Sequence, residues 1–233
     1  MRSLWTWTII AWFAVVAAAV VEAFLIPTAP SSKEAVAITP MRVVIASGLR
    51  GDTPFPDSVA VWENDRKIVL AASGNYTRSR PLPLIGDVSV YEVASYLEFP
   101  PTGSTEEMLA SIWRDDGSKV YLLRFLFPLP GWQLRKAVHD EMARSFDDVP
   151  VEEHQEAIDR LLKTFEGGAS TGDVFYLVRL TGNRILLGVR DEKNLQLVTD
   201  SPALARAIWR MWAGPTAEPG RSGLVGRLKK SAP

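Results

Sequence analysis

From residue 42 onward the chain breaks into short blocks of alternating or continuous apolar residues. Residues 42–46, 58–62 and 67–72 are rich in β-branched side chains or alternate in polarity, which predicts strands. Glu63-Asn64-Asp65-Arg66, between the last two, has the composition of a hairpin turn. Residues 88–97 and 119–127 predict longer strands. Residues 174–180 and 184–190 flank Thr181-Gly182-Asn183, a second hairpin signal, and 194–198 completes a meander.

The helical period appears in four places. Ser104-Thr105-Glu106-Glu107 is a capping box, followed by Met108, Leu109, Ile112 and Trp113 on one face. Leu134, Val138 and Met142 recur every four residues after Pro130-Gly131. Ile158, Leu161, Leu162 and Phe165 form a comparable stripe. Ser201 caps a last helix that has Pro202 at its first position and ends at Gly214-Pro215. On that helix Leu204, Ile208, Met211 and Trp212 form the apolar stripe, so Trp212 is expected to be more buried than Trp209. Sequential hairpins with helices grouped in the second half predict an α+β domain. Its helices should lie on one face of a largely antiparallel sheet. The domain spans residues 41–215, and residues 216–233, with Arg221, Arg227, Lys229 and Lys230, read as a solvated, partly frayed tail.

Residues 4–21 are uncharged and almost wholly apolar, and Arg2 precedes them. Taken as residues 4–26, with Glu22 the one charge, the run approaches the length of a helix spanning a bilayer core of ~30 Å. A positive N-terminal flank places the rest of the chain outside the cytoplasm. Residues 1–26 are therefore an apolar helix acting as a transmembrane anchor, or a signal peptide that is cleaved. Either way the folded domain is extracytoplasmic, membrane-tethered or secreted. Residues 27–40 contain Pro and Ser without a clear period and read as a linker.

Composition narrows the functional classes. The net charge of -1 argues against a nucleic-acid binder that neutralises phosphates. The chain has no cysteine, which excludes disulfides, thiolate nucleophiles and Cys-ligated metals. His139 and His154 are the only histidines and do not stand at metal-ligand spacing, so no metal site is expected. Asp115-Asp116-Gly117 reads as a turn, and no P-loop, dinucleotide or Gly-x-Ser-x-Gly fingerprint is present, so no cofactor is expected. Asn75-Tyr76-Thr77 fits a glycosylation sequon, a three-residue pattern frequent by chance.

The segment from Leu123 to Val138 combines a buried strand, a Pro-Gly break and an amphipathic helix. It resembles the core strand-to-helix segment of the chalcone isomerase family. Asp87–Glu98 is similar to that family's "VY…YLE" strand, Gly172-Asp173-Val174 to a strand opening, and Thr199–Pro215 to its closing helix. The order is that of the family across about residues 56–230. The resemblance is to bacterial-type domains of this fold rather than to the plant enzymes, and it implies an open-faced β-sandwich.

It also implies where a site would lie. In the plant enzymes an arginine after a Gly-rich turn, a threonine on the next strand, and a tyrosine and an asparagine on the helix bind the flavonoid. Here the turn matches Ala72-Ser73-Gly74, the arginine Arg78 or Arg80, the threonine Tyr91, the tyrosine Leu134 and the asparagine Glu141. Leu134 has no hydroxyl to donate, so classical isomerase activity is not expected. Non-catalytic relatives of this fold bind fatty acids, whose carboxylate an arginine can hold in bidentate fashion. The reading is thus a domain that binds a small apolar or amphipathic ligand such as a fatty acid. The rivals are an isomerase- or lyase-type enzyme using another site in the same cleft, and a structural or interaction domain whose cleft is filled.

Overall fold

The computed structural model describes residues 43–46, 49, 53–63, 65–82, 86–146, 151–215, 217 and 219–230. The apolar segment 4–26 and the linker 27–40 lie outside the described residues. Among the described residues no helix is long and apolar enough to cross a membrane.

Eight strands form one antiparallel sheet in chain order: β1 (Val43–Ala46), β2 (Ser58–Glu63), β3 (Arg66–Leu82), β4 (Gly86–Leu97), β5 (Lys119–Phe125), β6 (Val174–Leu180), β7 (Arg184–Val189) and β8 (Gln196–Thr199). Every residue of β5 and of β6 is buried, because both faces of the sheet carry a core. On one face Tyr76, Val93, Tyr121, Leu123, Phe175 and Leu177 meet the helices. On the other, Val59, Val61, Ile68, Leu70, Tyr96, Val120 and Tyr176 pack among themselves.

The fold is therefore α+β with the helices on one face, as the pattern predicts, but the opposite face is not open. The sheet curls until its first strands reach its last. The Ile45 amide donates to the Glu192 carbonyl at 3.1 Å, and Arg184 on β7 pairs with Glu63 on β2. This closure shields a second apolar layer to which, among the described residues, no helix contributes a buried side chain.

β3 is far longer than the 67–72 strand expected. Ala72-Ser73-Gly74 is not a turn. Ala72 pairs with Tyr96 and Gly74 with Ser95, leaving Ser73 as an extra residue in a β-bulge within a continuous strand. Ser73 Oγ donates to the Ser95 carbonyl at 3.1 Å. Side chains of a strand alternate between faces, so one inserted residue reverses the alternation beyond it. Ile68 and Leu70 point to the helix-free core, whereas Tyr76 and Arg78 point to the helices. A second bulge lies between Arg78 and Ser79, which pair with Tyr91 and Ser89 respectively and leave Val90 unpaired in the ladder. The Val90 carbonyl instead accepts the amides of Leu126 and Phe127 at 2.9 and 3.2 Å, and β5 stops at Phe125 rather than Phe127.

Four longer helices cover the sheet: α1 (Thr105–Arg114), α2 (Gly131–Ser145), α3 (Gln155–Thr164) and α4 (Pro202–Ala213). The capping box at α1 forms as predicted: Ser104 N donates to Glu107 Oε2 at 2.7 Å, and Glu107 N to Ser104 Oγ at 3.4 Å. The first residue of α2, Gly131, has room only for a hydrogen, because a Cβ there would lie 2.0 Å from the Glu166 carbonyl oxygen, where the chain leaving α3 passes. α4 is buried on almost every side, lying on the sheet with α1 and α2 beside it. Trp209 is fully buried and stacks on Tyr121 with ring centroids 5.2 Å apart, while Trp212 keeps 8% of its surface exposed. The expected order of the two tryptophans is thus reversed. A single apolar stripe describes a helix with one buried face, and α4 has neighbours on both flanks.

The segment read as a solvated tail packs instead. A 3-10 helix (Pro219–Val225) leads into α5 (Gly226–Lys230). Leu224 and Val225 are fully buried in the helix-side core. The segment crosses β3 at Gly74, where a Cβ would stand 2.1 Å from the Gly223 carbonyl oxygen. Arg221 donates to Glu106 at 2.8 Å and Arg227 to Asp57 at 2.5 Å, tying the segment to α1 and to the approach to β2.

Candidate functional site

Between the sheet and α2, α3 and α4 lies a narrow cavity. Its floor is apolar: Leu123 and Phe125 on β5, Phe175 and Leu177 on β6. α2 contributes Leu134, Val138 and Glu141, which share one face at four- and three-residue spacing. α4 contributes Ile208, Met211 and Trp212. The cavity has a volume of about 60 Å³, room for roughly four waters.

The polar groups gather at one end. Arg78 and Tyr91 are direct cross-strand partners on β3 and β4, placed on this face by the Ser73 bulge. Arg78 is buried, its Nη1 donates to the Tyr91 hydroxyl at 3.0 Å, and its Nη2 donates to Glu141 Oε1 at 2.9 Å. Trp212 Nε1 also donates to the Tyr91 hydroxyl, at 3.1 Å. Glu141 Oε1 receives a second cation, Arg144 Nη2, at 2.7 Å from the outer side of α2. Burial opposes the charge on Glu141, but hydrogen bonds from Arg144 and Arg78 outweigh it and hold its carboxyl below the usual carboxylate range.

Of the five residues singled out from sequence, Arg78, Tyr91, Leu134 and Glu141 line this one cavity. Arg80 does not: two residues further along β3 and past the second bulge, it is exposed. Of the two arginines, Arg78 is the one that reaches the cavity. Leu134 is buried and turns an apolar side chain to the cavity. Sequence reasoning placed Trp212 in the core but missed its indole as a donor to Tyr91. It also missed Arg144. Its spacing of three from Glu141 on a helix was the available signal.

A second charged cluster lies away from the cavity. Lys119 Nζ donates to the carbonyls of Ile112 and Asp115, both at 2.6 Å, closing the C-terminal end of α1. Arg179, opposite Lys119 on β6, pairs with Asp116 at 2.5 Å. Burial, followed by the charge of Arg179, pushes the Lys119 ammonium down to about 7. Among the described residues no group of three or more His, Asp or Glu side chains is placed to hold a metal ion.

No protein-family model matches the chain, and no curated protein matches it. Among solved structures it is similar to a fatty-acid binding protein of Arabidopsis thaliana, with a TM-score of 0.58 and 14% identity, over 79% of this chain and 96% of that one. At this identity the likeness is one of fold, and the fold is chalcone isomerase-like.

Proposed function

We propose that this chain binds a fatty acid or a closely similar amphiphile in the sheet–helix cavity and does not isomerise chalcones. The observation that carries the reading is the buried Arg78–Tyr91 pair at the polar end of an otherwise apolar pocket. An apolar slot with a few convergent polar groups is the usual plan of a small-molecule site. Arg78 supplies a bidentate donor for a carboxylate. The Tyr91 hydroxyl, which accepts from Arg78 and Trp212, stands at the same polar end. The fatty-acid binding activity of the similar Arabidopsis protein supports the same reading. The cavity, at about 60 Å³, is smaller than an acyl chain, so binding requires side chains such as the flexible Met211 to turn aside.

The test is calorimetric titration of the 233-residue chain with decanoate. Binding at ~1 μM corresponds to ~8 kcal/mol. Arg78→Met should weaken it at least ~tenfold, whereas Arg80→Ala should leave it within ~twofold. Absence of binding by the parent chain would overturn the reading. It would favour a structural domain instead, the alternative to which the small volume of the cavity points.

The cellular setting belongs to the same proposal. We place the domain among bacterial-type members of this fold, exported or tethered through residues 4–26, on the strength of the uncharged run 4–21 behind Arg2. Protease added to spheroplasts of a bacterial host should digest the domain. Complete protection until lysis would refute this placement.

A further inference from the structure

We infer that Glu141 is a built-in competitor for the ligand's head group, and that it sets the pocket's preference between anionic and uncharged amphiphiles. The inference rests on reading the cavity as an amphiphile site. Glu141 Oε1 sits 2.9 Å from Arg78 Nη2, on the guanidinium edge that a ligand carboxylate would use. The polar end of the pocket therefore already holds a carboxylate, supplied by the chain itself.

A fatty acid arriving there would put two anions against one buried guanidinium, an arrangement in which like charges disfavour one another. Glu141 has somewhere to go. The same oxygen is 2.7 Å from Arg144, whose side chain is 52% exposed against 9% for Arg78. Glu141 can leave the buried cation and keep the solvent-facing one. The acid must drive that displacement out of its own binding energy. An uncharged head group, such as an alcohol, brings no second anion to the pocket and leaves the Arg78–Glu141 pair intact. Glu141 thus lowers acid affinity relative to alcohol affinity, and Arg144 softens that effect by stabilising the displaced position.

The experiment compares decanoate with 1-decanol on the parent chain, Glu141→Gln and Arg144→Met, by calorimetry near neutral pH. Glutamine keeps the shape and an acceptor but removes the charge. In Glu141→Gln the ratio of decanol Kd to decanoate Kd should rise about tenfold. In Arg144→Met it should fall about threefold, because Glu141 then has only the buried cation as a charged partner on this side. Should Glu141→Gln fail to fold, the Arg144→Met ratio decides, since that side chain is half exposed. If the parent chain binds decanoate through Arg78 yet neither variant moves the ratio beyond twofold, Glu141 is no competitor and the inference is overturned alone. If decanoate and decanol both fail to bind the parent chain, the amphiphile reading falls and takes this inference with it.

Discussion

Trp212 donates its indole N–H to the hydroxyl of Tyr91 at 3.1 Å, joining residues 121 positions apart. One belongs to the closing helix and the other to a central strand. Their contact fixes the distance between α4 and the sheet where the cavity's polar groups meet. It also fills an acceptor site on Tyr91 that ligand or solvent would otherwise use. Trp212→Phe keeps the ring but loses the donor. We expect it to destabilise the chain by about 1 kcal/mol in denaturant unfolding, the typical net worth of one hydrogen bond. It should also weaken decanoate binding. An unchanged unfolding midpoint would show that the bond contributes nothing.

Trp209 should be the more critical tryptophan for stability. It is fully buried and stacked on Tyr121, and replacing a core aromatic by alanine removes ~3–5 kcal/mol. Trp209→Ala is expected to lower the melting temperature more than Trp212→Ala does. The opposite order would mean that the polar end of the cavity, and not the stacked core, limits unfolding.

Lys119 gives the stability a pH dependence of known sign. Its ammonium is pushed down to about 7 in the fold, against about 10.4 in an unfolded chain. Between these values the unfolded state binds the extra proton, so stability rises with pH. The penalty is complete below about pH 7 and is relieved progressively toward pH 10. Unfolding free energy measured from pH 7 to pH 9 should climb more steeply for the parent chain than for Lys119→Met. Equal slopes would show that the carbonyls of Ile112 and Asp115 keep the amine charged.

The C-terminal segment should behave as part of the domain. Leu224 and Val225 are fully buried, and burying such side chains stabilises by ~1.5–3 kcal/mol each. Truncation after Pro215 is expected to lower the melting temperature sharply. Gly74→Ala should do so too, because its Cβ would meet the Gly223 carbonyl at 2.1 Å. A truncated chain as stable as the parent would show that this packing is energetically idle.

Chalcone cyclisation provides the negative control. It needs positioned donors to polarise a carbonyl and orient a phenolate. The α2 positions facing the cavity offer Leu134, with no hydroxyl, and Glu141, an acceptor held by two arginines. No acceleration over buffer is expected, and stereoselective conversion by the parent chain would contradict the assignment of the pocket.

Much of this architecture can be read from the chain because it is written locally. Ser104 and Glu107 announce α1, Ser201-Pro202 announces α4, and Thr181-Gly182-Asn183 announces the β6–β7 hairpin. What escapes such reading depends on distant partners. Ser73 is an ordinary small residue whose role as a bulge emerges only against Tyr96 and Ser95. The burial of Trp209 depends on α1 and α2 flanking α4. Leu224 and Val225 look like a tail until β3 is present beneath them. The same holds at the candidate site. A resemblance singled out Arg78, Tyr91 and Glu141 one by one, but their mutual hydrogen bonds join two strands and a helix and are encoded in no local pattern.

The bulge at Ser73 makes the pocket a matter of counting as well as of chemistry. Arg78 meets the helices with an odd residue spent between it and Leu70. Losing Ser73 would give a regular ladder in which Arg78 still stands opposite Tyr91 on the helix side, so the bulge absorbs a one-residue change in strand length without moving the anchor. A lineage carrying this fold could therefore drop that residue and keep the pocket, whereas a one-residue gap between a retained bulge and Arg78 would turn the arginine to the other face of the sheet.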